Sequence, residues 1–259
     1  MKIALVTGAS SGMGRETVIQ LADGLGRLDE IWAVARRRER LEELSERVPV
    51  RLRIFSLDIT DRDDLKVLED SLRELKPEVR ILVNAAGFGK IGLAGSHSMA
   101  EETGMVALNC QALTAVTHMA LPYMPKNSRI IQYASAAAFC PQPGFAIYAA
   151  TKAFVLSYSR ALGAELAPRK IMVTAVCPGP VKTEFFDIAE TEGKIPFYKH
   201  LAMARPERVV GRALKDSFMG KPLSIYGPLM KAFYAVSRIC PASLIFKIMG
   251  EKHGKGQKA

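Results

Sequence analysis

Short apolar runs of β-type residues alternate with helical stretches along most of the chain. Seven runs have this composition, at residues 2–6, 30–35, 51–55, 80–83, 129–134, 171–176 and 223–226. They are apolar on both faces rather than polar at every second residue, which is typical of parallel strands covered by helices on both sides. The alternation therefore predicts an α/β fold, doubly wound around a parallel sheet of about seven strands, with a short helical C-terminal extension.

Helical patterns occupy the connections between these runs. They cover residues 14–25, 37–47, 61–75 and 146–167. The third pattern follows Thr60, a residue type that caps helix N-termini, and it carries acids in its first turn. We therefore predict that Thr60 is the N-cap of that helix.

Length, composition and cysteine spacing indicate one domain in a reducing compartment. The chain has 259 residues, of which 49% are apolar, and this is within the range of a single hydrophobic core. Its four cysteines are far apart and include no Cys-x-x-Cys pair, which disfavours a disulfide framework or a metal site. The N-terminal apolar run is shorter than the about 7–15 residues of a signal peptide. We expect a cytoplasmic protein with residues 1–259 in a single domain.

A glycine-rich loop joins the first predicted strand to the first helix. Its sequence is Thr-Gly-Ala-Ser-Ser-Gly-Met-Gly at residues 7–14. The glycines allow a tight turn and a close approach to a pyrophosphate, and the helix N-terminus offers free N–H groups and a positive dipole end. We therefore predict a Rossmann-type dinucleotide site, and its candidate residues here are Gly8, Ser10, Ser11, Gly12, Met13 and Gly14.

The residues after the second strand favour one cofactor. NAD enzymes usually carry an acid here for the ribose 2′-hydroxyl, but residues 34–38 contain none. Arg36 is placed to meet a 2′-phosphate, and Arg37 is a second candidate. Because guanidinium–phosphate contacts are strong, the sequence favours NADP(H) over NAD(H).

Tyr148 and Lys152 lie one turn apart on the predicted helix 146–167. This spacing places both side chains on one face. A nearby ammonium stabilises a phenolate, so we expect Lys152 to lower the pKa of Tyr148 from its usual value of about 10. Tyr148 then serves as a general acid in ketone reduction and a general base in alcohol oxidation.

Together with Ser135, which lies 13 residues before Tyr148, and Asn109, these motifs resemble the short-chain dehydrogenase/reductase family. The Gly-x3-Gly-x-Gly spacing is typical of its compact branch, and we favour a hydroxysteroid dehydrogenase-like member. The resemblance implies that Ser135 polarises the substrate carbonyl. It also implies that Asn109 supports a water that links Lys152 to solvent.

The resemblance implies further cofactor contacts at the ends of later strands. Asp58 and Ile59 border the adenine in relatives. The family's Asn-(Asn/Ala)-Ala-Gly motif lies along the cofactor, and its Pro-Gly-x-Val-x-Thr motif reaches the nicotinamide. The matching residues in this chain are Asn84, Ala85, Ala86, Gly87, Pro178, Gly179, Val181 and Thr183. The resemblance also implies that Tyr148 and Lys152 contact the cofactor, with Lys152 on the nicotinamide ribose.

The segment after the cofactor core favours a bulky apolar substrate. Residues 1–183 form the predicted cofactor and catalytic core, and residues 184–205 the substrate loop. This loop is rich in aromatic and aliphatic residues, among them Phe185 and Phe186, and Phe139 would line the opposite wall. We expect an NADP(H)-dependent alcohol dehydrogenase or ketone reductase, with a hydroxysteroid or bile acid as the favoured substrate. A 3-oxoacyl-thioester reductase and a non-catalytic NADP-binding sensor remain alternatives.

The C-terminal quarter concentrates the positive charge. The net charge is +10, and residues 199–259 hold twelve Lys and Arg but three Asp and Glu. Residues 228–249 predict two amphipathic helices, with Leu229, Phe233 and Val236 on one face, before a polar tail at 250–259. These helices pack on the domain or on a subunit of a homodimer or homotetramer, lie on an anionic membrane surface, or hold an anionic substrate group. No nucleic-acid recognition motif accompanies the charge.

Overall fold

Seven parallel strands form the centre of the protein in the computed structural model, which describes residues 1–24, 28–185, 189 and 203–241. The strands are β1 Lys2–Thr7, β2 Glu30–Ala35, β3 Arg51–Ser56, β4 Glu78–Asn84, β5 Arg129–Tyr133, β6 Met172–Val176 and β7 Leu223–Ser224. Their order in the sheet is β3-β2-β1-β4-β5-β6-β7. The order reverses at β1, so a crevice opens between the carboxyl ends of β1 and β4.

Helices cover both faces of this sheet. They are α1 Gly12–Ala22, α2 Arg38–Ser45, α3 Arg62–Leu75, α4 Met99–Val106, α5 Leu113–Ala120, α6 Ala146–Leu166, α7 Pro206–Phe218 and α8 Pro228–Ile239. A π-helical turn at Ala107–Ala112 joins α4 to α5. Of the helices in the described ranges, none combines the length and apolar character needed to cross a membrane.

The core has two layers, one on each face of the sheet. Along β1, Ile3 and Leu5 point into the layer formed with α3, α5 and α6. Ala4 and Val6 point into the layer formed with α1, α2 and α7. Because successive residues of a strand face opposite sides, a strand buried on both faces must be apolar throughout. The predicted doubly wound α/β fold, with its parallel sheet of seven strands, is thus confirmed.

The start of α3 differs from the sequence prediction. Asp61, not Thr60, is the N-cap: its carboxylate accepts hydrogen bonds from the backbone N–H groups of Asp63 and Asp64 at 2.9 and 3.0 Å. The Thr60 hydroxyl instead donates to Asp58 at 2.7 Å. Two adjacent residues could each cap this helix, and a carboxylate has the advantage of its charge at the positive end of the dipole.

The predicted apolar face of the first C-terminal helix is split in the structure. Phe233 in α8 turns inward and packs against Phe139, with the ring centroids 5.9 Å apart. Leu229 and Val236 remain 61% and 53% exposed, and Ile239 is 84% exposed. What covers this face stays a prediction, and the second predicted C-terminal helix falls within residues 242–259, outside the described part of the chain.

A buried carboxylate attaches the two-residue strand β7 to α7. Asp216 accepts hydrogen bonds from Arg212 Nε at 2.7 Å and Ser224 Oγ at 2.9 Å, and Lys221 Nζ lies 3.0 Å away. Burial would raise the pKa of Asp216, but the hydrogen bonds from Arg212, Lys221 and Ser224 outweigh it and lower that pKa below its ordinary value. The ionised form therefore stabilises the fold.

We expect Asp216→Asn to lower the free energy of unfolding by about 2 kcal/mol, because all three partners are donors and the amide nitrogen cannot accept. Urea denaturation measures this loss. In the unsubstituted protein, the contribution is complete above the unfolded pKa of about 3.9 and is lost as pH falls through the lower folded pKa. The matched control is Glu42→Gln, which breaks the exposed ion pair with Arg38 and should cost less than about 1 kcal/mol. Equal losses in the two variants would contradict this role for Asp216.

Candidate active site

A cleft lies where the strand order reverses, at the carboxyl ends of the strands. It has a volume of about 630 Å³. Most of the predicted cofactor residues line it: Gly8, Ser10, Ser11, Gly12, Met13, Gly14, Arg36, Arg37, Asp58, Ile59, Ala85, Ala86, Gly87, Tyr148, Lys152 and Thr183. Ligands of open α/β sheets bind in such a crevice, so its position fits a dinucleotide.

The glycine-rich loop has the geometry of a phosphate cradle. Gly8 has φ +71°, and a Cβ on it would lie 2.7 Å from the backbone nitrogen of Ala86. A Cβ on Gly14 would collide with the carbonyl of Gly8. Ser11 precedes α1 without a side-chain cap, and the first turn of α1 holds no acid. The first N–H groups of this helix can therefore receive an anion.

Tyr148 and Lys152 lie together on α6 at the inner end of the cleft. The ring of Tyr148 stacks on Phe145, with the centroids 4.3 Å apart, and Phe185 packs against it at 5.3 Å. The Lys152 ammonium lies 5.6 Å from the centroid of the Tyr148 ring and donates to the carbonyl of Tyr133 at 2.8 Å. The i, i+4 spacing thus places both groups on the face that meets the cleft.

The direction of the Tyr148 pKa corrects the expectation from sequence. Burial raises the pKa of Tyr148 to about 12, although a hydrogen bond with the Ser135 side chain opposes the rise. Burial also lowers the pKa of Lys152 to about 8. Desolvation disfavours any charge, so it acts on the two groups in opposite directions, and it outweighs the predicted effect of the ammonium on the phenol. At neutral pH Tyr148 keeps its proton and is ready to donate it.

Asn109 acts from the wall behind the cleft. It is fully buried in the π-helical turn, a type of helix irregularity that is frequent at functional sites. Its amide donates to the Phe88 carbonyl at 2.9 Å and to Thr151 Oγ1 at 3.0 Å. Thr151 in turn donates to the carbonyl of Tyr148 at 2.8 Å. Asn109 therefore connects to α6 through Thr151, a residue that the sequence analysis did not select although it lies inside the Tyr-x3-Lys motif.

Several predicted residues support the cleft from outside its lining. Ser135 caps the short turn at Ala136–Phe139, where its Oγ accepts from Ala137 N at 3.1 Å. Asn84 donates to Thr117 within the core at 3.0 Å. The Pro178 carbonyl accepts from Ala136 N at 2.8 Å. Gly179 packs against Met230, and Val181 pairs with Ala204.

The three phenylalanines predicted to line the substrate site have different positions in the structure. Phe185 lines the cleft beside Tyr148. Phe139 packs against Tyr234 of α8, with centroids 4.8 Å apart, and is not part of the lining of this cleft. Phe186 lies outside the described residues, as does most of the predicted loop 184–205. The participation of Phe139 and Phe186 in a substrate site stays a prediction.

Charged side chains surround the outer end of the cleft, which is the end away from Tyr148. Arg36 is 75% exposed and lies 3.6 Å from Asp58. Arg37 donates to Glu184 at 2.8 Å and to Ser10 Oγ at 3.3 Å. Burial would raise the pKa of Asp58, but hydrogen bonds from Thr60 and the charge of Arg36 lower it. Glu184 was missed by the sequence analysis because no local motif marks it, although it directly follows Thr183.

Comparison with known proteins agrees with this geometry. The family model described as short chain dehydrogenase matches residues 2–193. Sulfoacetaldehyde reductase 2 of Chromohalobacter salexigens is 35% identical, and the match covers 71% of this chain and 74% of that protein. The 3-oxoacyl-[acyl-carrier-protein] reductase FabG of Thermotoga maritima is 31% identical, with 70% and 75% covered.

Two solved structures match this chain over its whole length. A short-chain dehydrogenase from Sphingobium yanoikuyae in complex with NADPH has a TM-score of 0.78 and 27% identity, and the match covers 100% of this chain and 99% of that one. The bulky-bulky ketone specific alcohol dehydrogenase from Comamonas testosteroni has a TM-score of 0.70 and 26% identity, with 100% and 97% covered. Sequence, fold and cleft agree, and the chain belongs to the short-chain dehydrogenase/reductase family of oxidoreductases.

Proposed function

We propose that the protein is an NADP(H)-dependent alcohol dehydrogenase or ketone reductase acting on a bulky apolar substrate, with a hydroxysteroid or bile acid favoured. The observation that carries this proposal is the buried, protonated Tyr148 beside Lys152, at the inner end of a cleft whose outer end holds Arg36 and Arg37. The same cleft thus offers a proton donor at one end and donors for a phosphate at the other.

The described residues fit a nicotinamide dinucleotide. Gly8 and Gly14 leave the space that a Cβ would fill, and the first turn of α1 presents N–H groups to a pyrophosphate. A Cβ on Gly87 would lie 2.9 Å from Asn109 Oδ1 and 3.3 Å from Lys152 Nζ, so this glycine leaves space beside both side chains. When bound, the nicotinamide ring supplies or accepts the hydride.

The protein's own residues manage the proton and the carbonyl oxygen. In ketone reduction, Tyr148 donates its phenolic proton to the oxygen. Ser135 is not itself part of the lining, but its side chain hydrogen-bonds Tyr148, and from that position it holds the same oxygen by a hydrogen bond. Lys152 supplies positive charge next to the phenolate that forms. Alcohol oxidation runs the same transfer backwards, with Tyr148 as the base.

The proposal of a bulky apolar substrate rests on the aromatic surroundings of Tyr148. Phe145 and Phe185 pack against its ring. Phe145 belongs to a buried apolar cluster with Met105 and Ala137, and Phe185 packs against that cluster. A ring system can gain apolar contact there without competing for polar groups. The similarity to an alcohol dehydrogenase specific for bulky-bulky ketones supports the same substrate class.

A 3-oxoacyl-thioester substrate is the second candidate, favoured by the similarity to the Thermotoga carrier-protein reductase. An assay that follows the absorbance of the reduced nicotinamide with each substrate distinguishes the two substrate classes. We expect turnover with NADP(H) on hydroxysteroids or bile acids, and much less on acyl thioesters or simple ketones. Turnover confined to acyl thioesters would replace the steroid proposal with fatty-acid chemistry.

Tyr148→Phe tests the proton donor on whichever substrate is turned over. We expect kcat to fall by about a factor of 10² to 10⁴, because the ring stays in place while the proton donor is removed. The Kd of the cofactor, measured by fluorescence titration, should change little. The matched control is Tyr158→Phe, which removes a phenol hydroxyl further along the same helix. A Tyr148→Phe protein that keeps its activity would exclude this mechanism.

The lowered pKa of Lys152 predicts the pH dependence of ketone reduction. Below about 8 the ammonium is charged, and above that value it loses its proton. We expect kcat/KM for reduction to be constant around neutral pH and to fall as pH rises through about 8. The Tyr148 phenol, with its pKa of about 12, causes no loss in that range. A profile that stays flat well into the alkaline range would contradict this assignment.

The choice of NADP(H) is tested by the arginines after β2. We expect Arg36→Gln and Arg37→Gln each to weaken NADPH binding by about tenfold and NADH binding far less, because a 2′-phosphate loses a charge-assisted partner. Calorimetric titration gives both dissociation constants. Arg38→Gln is the control, because Arg38 pairs with Glu42 and does not line the cleft. A variant that weakens both cofactors equally would argue against 2′-phosphate recognition.

A further inference from the structure

The proposed 2′-phosphate site already holds a carboxylate. Glu184 follows Thr183 in the chain, and its side chain reaches across to the beginning of α2. One carboxylate oxygen accepts from Arg37 Nη1 at 2.8 Å, and the other lies 3.4 Å from Arg40 Nη1. Hydrogen bonding from Arg37 lowers the pKa of Glu184, so the group is anionic at neutral pH.

Glu184 uses the same donors that a phosphate would need. Arg37 and Ser10 line the cleft and bond each other at 3.3 Å, and Ser11 also bonds the Glu184 carboxylate. Carboxylate and phosphate are both oxyanions that accept from a guanidinium in similar geometry. A dinucleotide that carries a 2′-phosphate must therefore share or take these donors, whereas one with a 2′-hydroxyl brings no competing charge.

The other carboxylate at this end of the cleft is held differently. Asp58 lies 3.6 Å from Arg36, and its Oδ1 accepts from Thr60 N at 3.0 Å and Thr60 Oγ1 at 2.7 Å. Asp58 thus makes its short hydrogen bonds within its own loop, and its contact with Arg36 is the longer one. Glu184, in contrast, bonds the guanidinium directly and comes from a segment distant in sequence. Of the two, Glu184 is the one placed to oppose a 2′-phosphate.

Building on the proposed function, we propose that Glu184 shifts the cofactor preference toward NAD(H), because its carboxylate competes with the 2′-phosphate for Arg37, which lines the cleft. This competition weakens the binding of NADP(H) and leaves that of NAD(H) nearly unchanged. The side chains of Glu184, Arg37 and Arg40 are 37%, 44% and 48% exposed, so solvent and salt screen the competition and the effect is moderate.

The test is Glu184→Gln, which keeps the size of the side chain and removes its charge. We expect NADPH to bind about three- to tenfold more tightly at low ionic strength, while NADH changes by less than about twofold. Calorimetric titration of the full chain gives both dissociation constants without turnover. The gain should shrink as salt is added, since the groups are partly exposed.

Glu42→Gln is the matched control. Glu42 also bonds an arginine of α2, Arg38, at 2.8 Å, but it lies outside the lining of the cleft. This variant should leave both dissociation constants unchanged. In an Arg37→Gln background, Glu184→Gln should give a smaller gain, because one of the contested donors is gone.

Either of two results with NADPH and NADH would overturn the proposed competition. An equal change for NADPH and NADH would make Glu184 a general support of the loop, and weaker NADPH binding would make it a support for Arg37. Adenosine 2′,5′-bisphosphate and adenosine 5′-monophosphate repeat the comparison without a nicotinamide. If the unsubstituted protein prefers NADH, the proposed cofactor is wrong, but Glu184→Gln must still gain affinity for the bisphosphate. If it does not, the competition is wrong as well.

Discussion

The cleft depends on one close approach between two backbones. The chain leaving β1 passes so near the chain leaving β4 that a single Cβ on Gly8 would lie 2.7 Å from Ala86 N. Thr7 Oγ1 fixes the same junction, accepting from Ala86 N at 3.3 Å. Because β1 and β4 are where the strand order reverses, this contact holds the edges of the crevice together. The phosphate cradle of α1 and the catalytic end at α6 both face this one junction.

Burial governs the protonation of Tyr148 and Lys152, the pair proposed to be catalytic. It raises the pKa of Tyr148 and lowers that of Lys152, so both groups shift toward their neutral forms. The ammonium keeps a partner in the Tyr133 carbonyl, and Asn109 satisfies the backbone of Phe88 behind it. A satisfied polar network in a dry environment is rigid, and charge that develops there during reaction is felt strongly. The site is thus built to stabilise a change of charge rather than a resting charge.

Features that depend on local spacing could be predicted from the sequence. The apolar strands, the glycine loop and the pair Tyr148 and Lys152 are set by neighbours within a few residues. Features that depend on competition between residues or between opposing physical effects could not be predicted from the sequence. Thr60 and Asp61 are both capping residues, and only the folded geometry selects Asp61. The pKa of Tyr148 is raised by burial, with Phe145 and Phe185 packed against its ring, and no motif in the sequence marks that burial.

The outer end of the cleft shows why the number of arginines is a poor measure of local charge. Each of the three successive arginines after β2 has a carboxylate within reach: Arg36 with Asp58, Arg37 with Glu184, and Arg38 with Glu42. Only Arg36 and Arg37 line the cleft, so a 2′-phosphate bound there would meet two arginines that already lie beside carboxylates rather than two free cations. The free energy of binding a 2′-phosphate is the difference between the contacts that the phosphate gains and those that the carboxylates lose. Cofactor preference in such a site depends as much on how weakly the carboxylates bind the arginines as on how many arginines are present.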